Sequence, residues 1–278
     1  MQTETIESAQ AEQPIAFQSD GVDDLPGGRR RMVARIVRSV GWVSINLGLF
    51  LIGFVVHAVF ITTFFAERNQ VALAEERVAN FDSAVIEEVE WTPLVSGADL
   101  SAPISEGVDV SGSDTLIDSG DGVPLIIERE LPPAKGEAFA LIRIPSIESL
   151  AQGWNVVEGT SVADLRNGAG HMAGTPLPGQ PGNAVISGHR TTYGAPFRDL
   201  DLLEIGDIIE VETALGVHTY MVRETLIVAP TDVWVTDNRT GAWLTLTTCN
   251  PRFSSRERLI IFAELISGPN AEVILGSL

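Results

Sequence analysis

The segment "TLTTCNPRFSSRERLIIF", residues 245–262, contains the only cysteine of the chain, Cys249. A threonine-rich run precedes the thiol, a polar loop follows it, and Arg258 begins a second apolar run. A thiolate is a strong nucleophile, and nearby arginines favour that form. The alternative is a buried inert cysteine, because cysteine is among the most buried residue types. A single cysteine excludes an internal disulfide and gives too few ligands for a thiolate metal site. The acyl-transfer chemistry considered below requires no metal, and we expect no cofactor.

A nucleophilic cysteine needs a partner that holds or returns a proton, and histidine is the commonest choice. The chain has four histidines. His57 falls in a long apolar run and His218 begins a predicted strand at the surface, which leaves two candidates. His189 ends the apolar strand "NAVISGH" and is the better partner. His171, in "GAGHMAGT", remains an alternative.

An arginine near the thiol suits acyl transfer. Acyl transfer places negative charge on a carbonyl oxygen, and a planar guanidinium stabilises that charge with paired hydrogen bonds. Arg258 would do so from the first position of the last long strand, whereas Arg252 and Arg256 lie in the loop and are expected to be solvated. No Asn or Asp stands out as a third member of a papain-like triad. The residues therefore favour a Cys–His–Arg site.

The C-terminal half reads as an all-β domain. Short apolar runs alternate there with Gly, Pro and Asn turns. One short helix is expected between Ser161 as N-cap and Gly168 as its end. Seven or eight strands in roughly 130 residues favour a closed barrel or a sandwich. The predicted strands cover residues 138–147, 154–159, 183–189, 207–213, 218–228, 243–249 and 258–265.

Strand alternation places the reactive side chains. Successive residues of a strand point to opposite faces, so Cys249 shares a polar face with Thr247. By the same rule, His189 shares a face with Ser187. Two reactive residues at two strand ends would then converge on one rim of a barrel.

The N-terminal part predicts a membrane anchor. Residues 1–38 form a polar, disordered tail that ends in a cluster of five arginines, and residues 39–66 carry no charge. An uncharged run of this length spans a bilayer, and a cleaved signal peptide would have a shorter apolar core. Because the arginines precede the run, the positive-inside rule places the N-terminus in the cytoplasm and all later residues outside. The chain is therefore predicted to be a single-pass membrane protein.

The charge distribution separates a linker from the compact domain. The chain has 18 basic and 37 acidic residues, a net charge of −19, which excludes a nucleic-acid-binding face. Residues 67–136 contain 15 acidic and 4 basic residues, a net charge of −11, and are expected to form an extended extracellular linker. Residues 137–278 are expected to form the catalytic domain and to fold without that linker.

Two segments resemble a known family. "TLTTC" followed by Arg258 before "LIIF", and "GTPLPGQPGNAVISGHRTTYGAPF" at residues 174–197, resemble the signature segments of sortases. The resemblance covers about residues 138–265 and is greatest to class E sortases of high-GC Gram-positive bacteria. It implies an eight-stranded β-barrel with Cys249 as nucleophile, His189 as general acid and base, and Arg258 as the substrate- and oxyanion-binding residue. We also predict substrate contacts at Thr248 and Tyr193.

The resemblance implies a transpeptidase that cleaves an LPxTG- or LAxTG-like sorting signal between Thr and Gly. Its partners would be surface proteins carrying that signal and an amine of a cell-wall precursor, at the outer face of the cell membrane. An L,D-transpeptidase is one alternative, but it should show a Ser-x-Gly-Cys context, which "LTTCNP" lacks. A non-catalytic surface-binding module is another alternative. It does not explain why the chain has Cys249 together with His189 and Arg258.

Overall fold

A computed structural model describes residues 27–57, 60, 62–93 and 124–277. The chain forms two compact units, Met1–Val55 and Val56–Leu278. Helix α1 (Gly27–Val56) is the described part of the first unit, and it exposes its apolar side chains throughout. Its residues Gly28–Val56, with a mean hydropathy of 2.0, are long and apolar enough to cross a membrane. This candidate span begins and ends earlier than the predicted range of 39–66. Residues 27–38 of the tail predicted to be disordered at 1–38 belong to this helix, and residues 1–26 lie outside the described residues.

The segment expected to be an extended linker is folded wherever the structure describes it. Helix α2 (Thr62–Ser83) is followed by an antiparallel pair of strands, β1 (Ile86–Trp91) and β2 (Leu125–Glu130). This differs from the prediction made from charge and composition. Residues 94–123 of the predicted linker lie outside the described residues.

Helix α2 packs against the domain through polar anchors more than through an apolar face. Asn155 donates from its backbone N–H to Gln70 Oε1 at 2.9 Å, and Asn80 Nδ2 donates to the carbonyl of Ala138 at 2.8 Å. Leu73 is buried against Ala138 and Val157. The acidic side chains of α2 are mostly exposed. The acidic composition of residues 67–136 gives no sign of these few specific contacts with the barrel. Residues 137–278 were expected to fold without the preceding segment. Removal of that segment would remove these contacts between α2 and the barrel.

Eight strands close into a barrel, which confirms the predicted fold class. Around the barrel they follow the order β10-β8-β7-β3-β4-β5-β6-β9. Of these eight barrel strands, only β5 was missed by the sequence analysis, because it has three residues and lies among glycines, where no alternation can be recognised. The strands are β3 (Ala138–Arg143), β4 (Trp154–Glu158), β5 (Ala169–His171), β6 (Gly182–Ser187), β7 (Ile208–Thr213), β8 (Gly216–Val228), β9 (Ala242–Asn250) and β10 (Glu257–Ser267).

Two short helices complete the domain, α3 (Val162–Asn167) and α4 (Ala271–Leu275). The predicted N-cap of α3 is confirmed. Ser161 Oγ accepts from the backbone N–H of Asp164 at 3.4 Å, and Asp164 Oδ2 accepts from the backbone N–H of Ser161 at 2.8 Å. This reciprocal capping satisfies two N–H groups that a helix start otherwise leaves unpaired. Helix α3 carries the chain between the parallel strands β4 and β5.

The barrel interior is filled by alternate side chains of its strands, among them Leu244 and Leu246 of β9 and Ile186 of β6. Complete burial of a large aliphatic side chain stabilises a fold by ~1.5–3 kcal/mol. Because these residues point inward, Thr247 and Ser187 point to the outer face, as predicted. The core thereby fixes which face of β6 and β9 carries the reactive residues.

His218 lies in the interior, although it was expected at the surface. Its side chain is fully buried, and its Nε2 lies 3.1 Å from Thr213 Oγ1. Its Nδ1 has no hydrogen-bond partner among the described residues. The ring fits because its neighbour is a glycine: a Cβ on Gly179 would lie 2.0 Å from the ring. Burial lowers the pKa of His218 to about 4.

The stability of the domain is expected to fall between pH 6.5 and pH 4 because of His218. The unfolded histidine has a pKa near 6.5, so in this window the unfolded chain binds more protons than the folded chain. The free energy of unfolding should therefore fall as the pH falls, by about 3 kcal/mol at pH 4. Chemical denaturation of the full-length protein in detergent at pH 7 and pH 4 measures this loss.

The matched variant for this experiment is His218→Asn. Glu130, whose pKa burial raises, acts in the opposite direction, but it is present in both proteins. The difference between the two proteins therefore isolates the histidine. An equal pH dependence of the two proteins would contradict the assignment.

Candidate active site

Three adjacent strands, β6, β9 and β10, bring the predicted catalytic residues together. Cys249 on β9 lies directly opposite Arg258 on β10. Strand β6 runs parallel to β9 with Ser187 beside Thr247, so His189 and Cys249 each lie two residues further on. Opposed residues of neighbouring strands have Cβ atoms about 4.5–5.5 Å apart and share a face. His189, Cys249 and Arg258 therefore form one row at the rim of the barrel.

A cavity of about 350 Å³ opens at this row. Its floor consists of the outward-facing residues of β6 and β9, and one wall is the segment that joins β8 to β9. Besides the row, the lining includes Met172, Val185, Ser187, Val228, Val233, Val235, Thr236, Thr245, Thr247 and Ile260. Most of these side chains are apolar or hydroxylated. Such a surface suits an extended peptide with small and aliphatic side chains.

Two buried threonine hydroxyls join β9 to β6 beneath the cavity. Thr245 Oγ1 donates to Asn183 Oδ1 at 2.6 Å. Thr248 Oγ1 donates to the carbonyl of Gly188 at 2.7 Å. The second bond holds the backbone directly before His189 against the backbone directly before Cys249. The threonine-rich sequence thus fixes the distance between the two strand ends.

His189 is mostly buried and lines the cavity. Its Nε2 is buried without a hydrogen-bond partner among the described residues. Burial, and secondarily the positive charge of Arg166, lower the pKa of His189 below its usual value. The imidazole is therefore mainly neutral at pH 7, with one nitrogen left for a group that enters the cavity.

Arg258 is anchored by its own loop. Its Nη1 donates to the carbonyls of Ser255 at 3.0 Å and Glu257 at 2.9 Å. No carboxylate in the described part of the chain forms a salt bridge with it. Its positive charge at the cavity is thus not neutralised by a neighbouring acid. This arrangement suits the binding of a developing oxyanion.

The two predicted substrate contacts take different positions. The hydroxyl of Thr248 is bonded to Gly188, so its observed contact joins two strands, and its contact with substrate stays a prediction. Tyr193 adopts a left-handed backbone conformation, with φ of 52°, and its ring centroid lies 5.1 Å from that of His189. The guanidinium of Arg166 lies over the same tyrosine ring at 5.6 Å. Tyr193 is thus placed to hold the imidazole ring.

His171, the alternative acid, lies outside the cavity. Its Nδ1 is 2.7 Å from Glu158 Oε2, and its Nε2 is 3.0 Å from the carbonyl oxygen of Pro176. Both ring nitrogens are engaged, and the side chain is buried. The geometry therefore favours His189 over His171 as the partner of Cys249.

The loop arginines behave as predicted, but two other arginines were missed. Arg252 and Arg256 are exposed, and Arg252 pairs with Asp199 at 2.8 Å. Arg166 acts on the environment of His189, and the buried Arg190 donates to the carbonyl of Cys249 at 3.3 Å. The only signal in the sequence for a role of Arg190 is its position directly after His189. No pattern in the sequence pointed to Arg166.

Metal ligands do not cluster in the part of the chain that the structure describes: no group of three or more His, Cys, Asp or Glu side chains is arranged to hold an ion.

Comparison with known proteins identifies the domain. A family model described as "Sortase domain" matches residues 142–266. Sortase SrtE1 of Streptomyces coelicolor is 34% identical over 145 residues, which are 47% of this chain and 41% of that protein. Sortase D of Bacillus subtilis is 34% identical over 140 residues, 49% of this chain and 67% of that protein. The structure of sortase E from Streptomyces avermitilis is 38% identical, covers 49% of this chain and 91% of that one, and has a TM-score of 0.45.

Proposed function

Because the chain belongs to the sortase family, and is similar to its class E members, we propose that it is a membrane-anchored cysteine transpeptidase. The observation that carries this proposal is the row of His189, just beyond the end of β6, with Cys249 of β9 and Arg258 of β10, at the mouth of one cavity. The row combines a nucleophile, a proton carrier and a cation for an oxyanion, which together are the requirements of acyl transfer.

The first half-reaction forms a thioester. The neutral imidazole of His189 accepts the proton of the Cys249 thiol. The resulting thiolate attacks the carbonyl carbon of the scissile peptide bond, and the carbonyl oxygen becomes an oxyanion that accepts hydrogen bonds from Arg258. The intermediate collapses with cleavage of the C–N bond. His189, in its protonated form, donates its proton to the leaving amine nitrogen. The N-terminal part of the substrate remains on the sulfur, and the C-terminal part leaves as a free amine.

The second half-reaction transfers the acyl group. An incoming primary amine attacks the thioester carbon and loses a proton to the now neutral His189. The carbonyl oxygen of the thioester becomes a second oxyanion, which again accepts hydrogen bonds from Arg258. When it collapses, the C–S bond breaks, and Cys249 leaves as a thiolate beside a protonated imidazole. The imidazolium then returns its proton to the sulfur, which restores the thiol and the neutral imidazole, with one peptide bond broken and one formed.

The proposed substrate is a sorting signal of the LPxTG or LAxTG type, cleaved between Thr and Gly. The aliphatic side chains that line the cavity support a Leu-containing peptide. The proposed acceptor is an amine of a cell-wall precursor. The apolar helix α1, with its arginines at the N-terminal end, supports a single-pass anchor with the catalytic domain outside the cell.

A peptide panel tests this function. The full-length protein in detergent is incubated with peptides containing LPxTG, LAxTG and scrambled sequences, with and without an added primary amine. We expect cleavage between Thr and Gly in at least one ordered motif, and a transfer product when the amine is present. Binding of peptide without any cleavage would contradict the proposal and would favour a non-catalytic binding module.

Arg258→Lys is expected to lower the rate of peptide cleavage by about 10²–10³-fold, as for loss of an oxyanion donor. Lysine keeps the positive charge but lacks the planar fork of hydrogen-bond donors. The measurement is kcat/KM on the cleaved peptide. The matched control is Arg256→Lys, an exposed arginine of the same loop, which should retain the wild-type rate. Equal effects of the two substitutions would contradict the role given to Arg258.

A further inference from the structure

Arg190 follows His189 directly in the chain, and its guanidinium is buried between the end of β9 and residues 198–201. The residue is only 4% exposed. A buried guanidinium destabilises a fold unless its donors and its charge are satisfied, so its partners are informative. Two of those partners belong to the strand that carries Cys249, and the other two lie at residues 198 and 201.

The hydrogen bonds of Arg190 reach the thiol-bearing strand. Its Nη1 donates to the carbonyl of Cys249 at 3.3 Å and to Oδ1 of Asn250 at 2.6 Å. On its other side, Nη2 lies 3.0 Å from Oδ2 of Asp201. Its Nε donates to the carbonyl of Arg198 at 3.4 Å. One planar group therefore joins the loop after His189 to the end of β9.

The same chain of bonds continues to Arg258. Asn250 Nδ2 donates to Oε2 of Glu257 at 2.9 Å. The carbonyl of Glu257 accepts from Nη1 of Arg258 at 2.9 Å. The path from Arg190 through Asn250 and Glu257 thus ends on the oxyanion-binding arginine. The guanidinium of Arg190 contacts the end of β9 directly and the start of β10 only through Asn250 and Glu257.

We propose that Arg190 is a positioning residue: it fixes the imidazole of His189 relative to the thiol of Cys249 and, through Asn250, relative to Arg258. The inference rests on the proposed transpeptidase function. Misplacement of reacting groups by about 1 Å costs up to about 10²-fold in rate. Lysine cannot replace this arginine, because one ammonium does not span the carbonyl of Cys249, the amide of Asn250 and the carboxylate of Asp201 together.

Asp201 supplies the counter-charge and also provides a matched control. Burial acts to raise its pKa, but the charge of Arg190 and the hydrogen bond from Arg252 outweigh this, so the pKa of Asp201 is lowered. Arg252 lies 3.3 Å from the same carboxyl group. Arg252 is exposed, and none of its described hydrogen bonds is to Cys249 or Asn250. Changes at Arg252 therefore disturb the same acid without disturbing the catalytic row.

The experiment compares Arg190→Lys and Arg190→Gln with Arg252→Lys and Arg252→Gln in the full-length protein. The concentration of active sites is counted by titration of the Cys249 thiol, and kcat and KM are measured on the cleaved peptide. We expect kcat per titrated thiol to fall by about 10–100-fold in both Arg190 variants, with KM changed less than about 3-fold. Both Arg252 variants should keep the wild-type kcat.

A second variant keeps the inference falsifiable if the Arg190 variants do not fold. Asn250→Ala removes the side chain that links Arg190 to Glu257 by hydrogen bonds. We expect kcat to fall by about 10-fold at unchanged KM. When combined with Arg190→Gln, its effect on kcat should not add, because the two residues act through one path.

Three results would overturn the inference: unchanged kcat per thiol in the Arg190 variants, equal losses in the Arg252 variants, or unchanged kcat in Asn250→Ala. Absence of peptide cleavage by the wild-type protein would instead contradict the proposed function, and the inference with it. Wild-type cleavage with unaffected Arg190 variants would overturn the inference alone.

Discussion

Replacing Cys249 with alanine is expected to abolish both cleavage and transfer of a sorting-signal peptide. The chain has no other sulfur nucleophile, since Cys249 is its only cysteine. Without it no thioester forms, and the neighbouring histidine and arginine have no covalent intermediate to act on. The measurement is product formation with the full-length protein, followed by mass spectrometry over an extended incubation.

The control for this variant is its folded state. Cys249 lies at a strand end and is partly exposed, so its replacement by alanine should leave the unfolding transition and the binding of peptide unchanged. Residual cleavage at more than a background rate by a folded Cys249→Ala protein would contradict a covalent mechanism.

Replacing His189 with alanine is expected to lower kcat/KM by about 10²–10⁴-fold, the usual contribution of a positioned acid or base. The matched control is His171→Ala, which removes the other candidate histidine from a site outside the cavity. A folded His171→Ala protein should cleave peptide at close to the wild-type rate. The reverse ranking of the two variants would show that His171 is the acid.

The pH dependence provides a second test of His189. Burial and the charge of Arg166 lower its pKa, so the histidine limb of the pH–rate profile should lie below pH 6.5. Arg166→Gln removes one of these two causes. The limb should therefore move to higher pH in this variant, whereas a limb that stays in place would belong to another group.

Strand alternation predicted which strand face carries each candidate catalytic residue, but not how the strands are arranged around them. Residues 243–249 alternate between aliphatic and hydroxyl-bearing side chains, and this pattern alone places the thiol on the outer face of β9. In the same way, the alternation in residues 183–188 places the side chain of His189 on the face that carries Ser187. What alternation cannot give is the register between strands that are distant in sequence. The pairing of Ser187 with Thr247, which makes the row, is visible only in the structure.

The features that the sequence did not reveal depend on single long-range polar contacts. The packing of α2 depends on Gln70 and Asn80, which look like ordinary exposed residues of an acidic segment. Arg190 is buried only because Asp201 and the carbonyl of Cys249 satisfy it. His218 is buried because glycines leave room for its ring. None of these contacts leaves a periodic trace in the sequence.

The central claim is that Cys249 carries the acyl group between donor and acceptor. Intact-protein mass spectrometry of the full-length protein, quenched with acid during cleavage of a sorting-signal peptide, tests it most directly. We predict an added mass equal to the peptide fragment that ends at Thr, located on Cys249 by digestion and removed when a primary amine is supplied. Cleavage without such an adduct, or an adduct on another residue, would contradict the account.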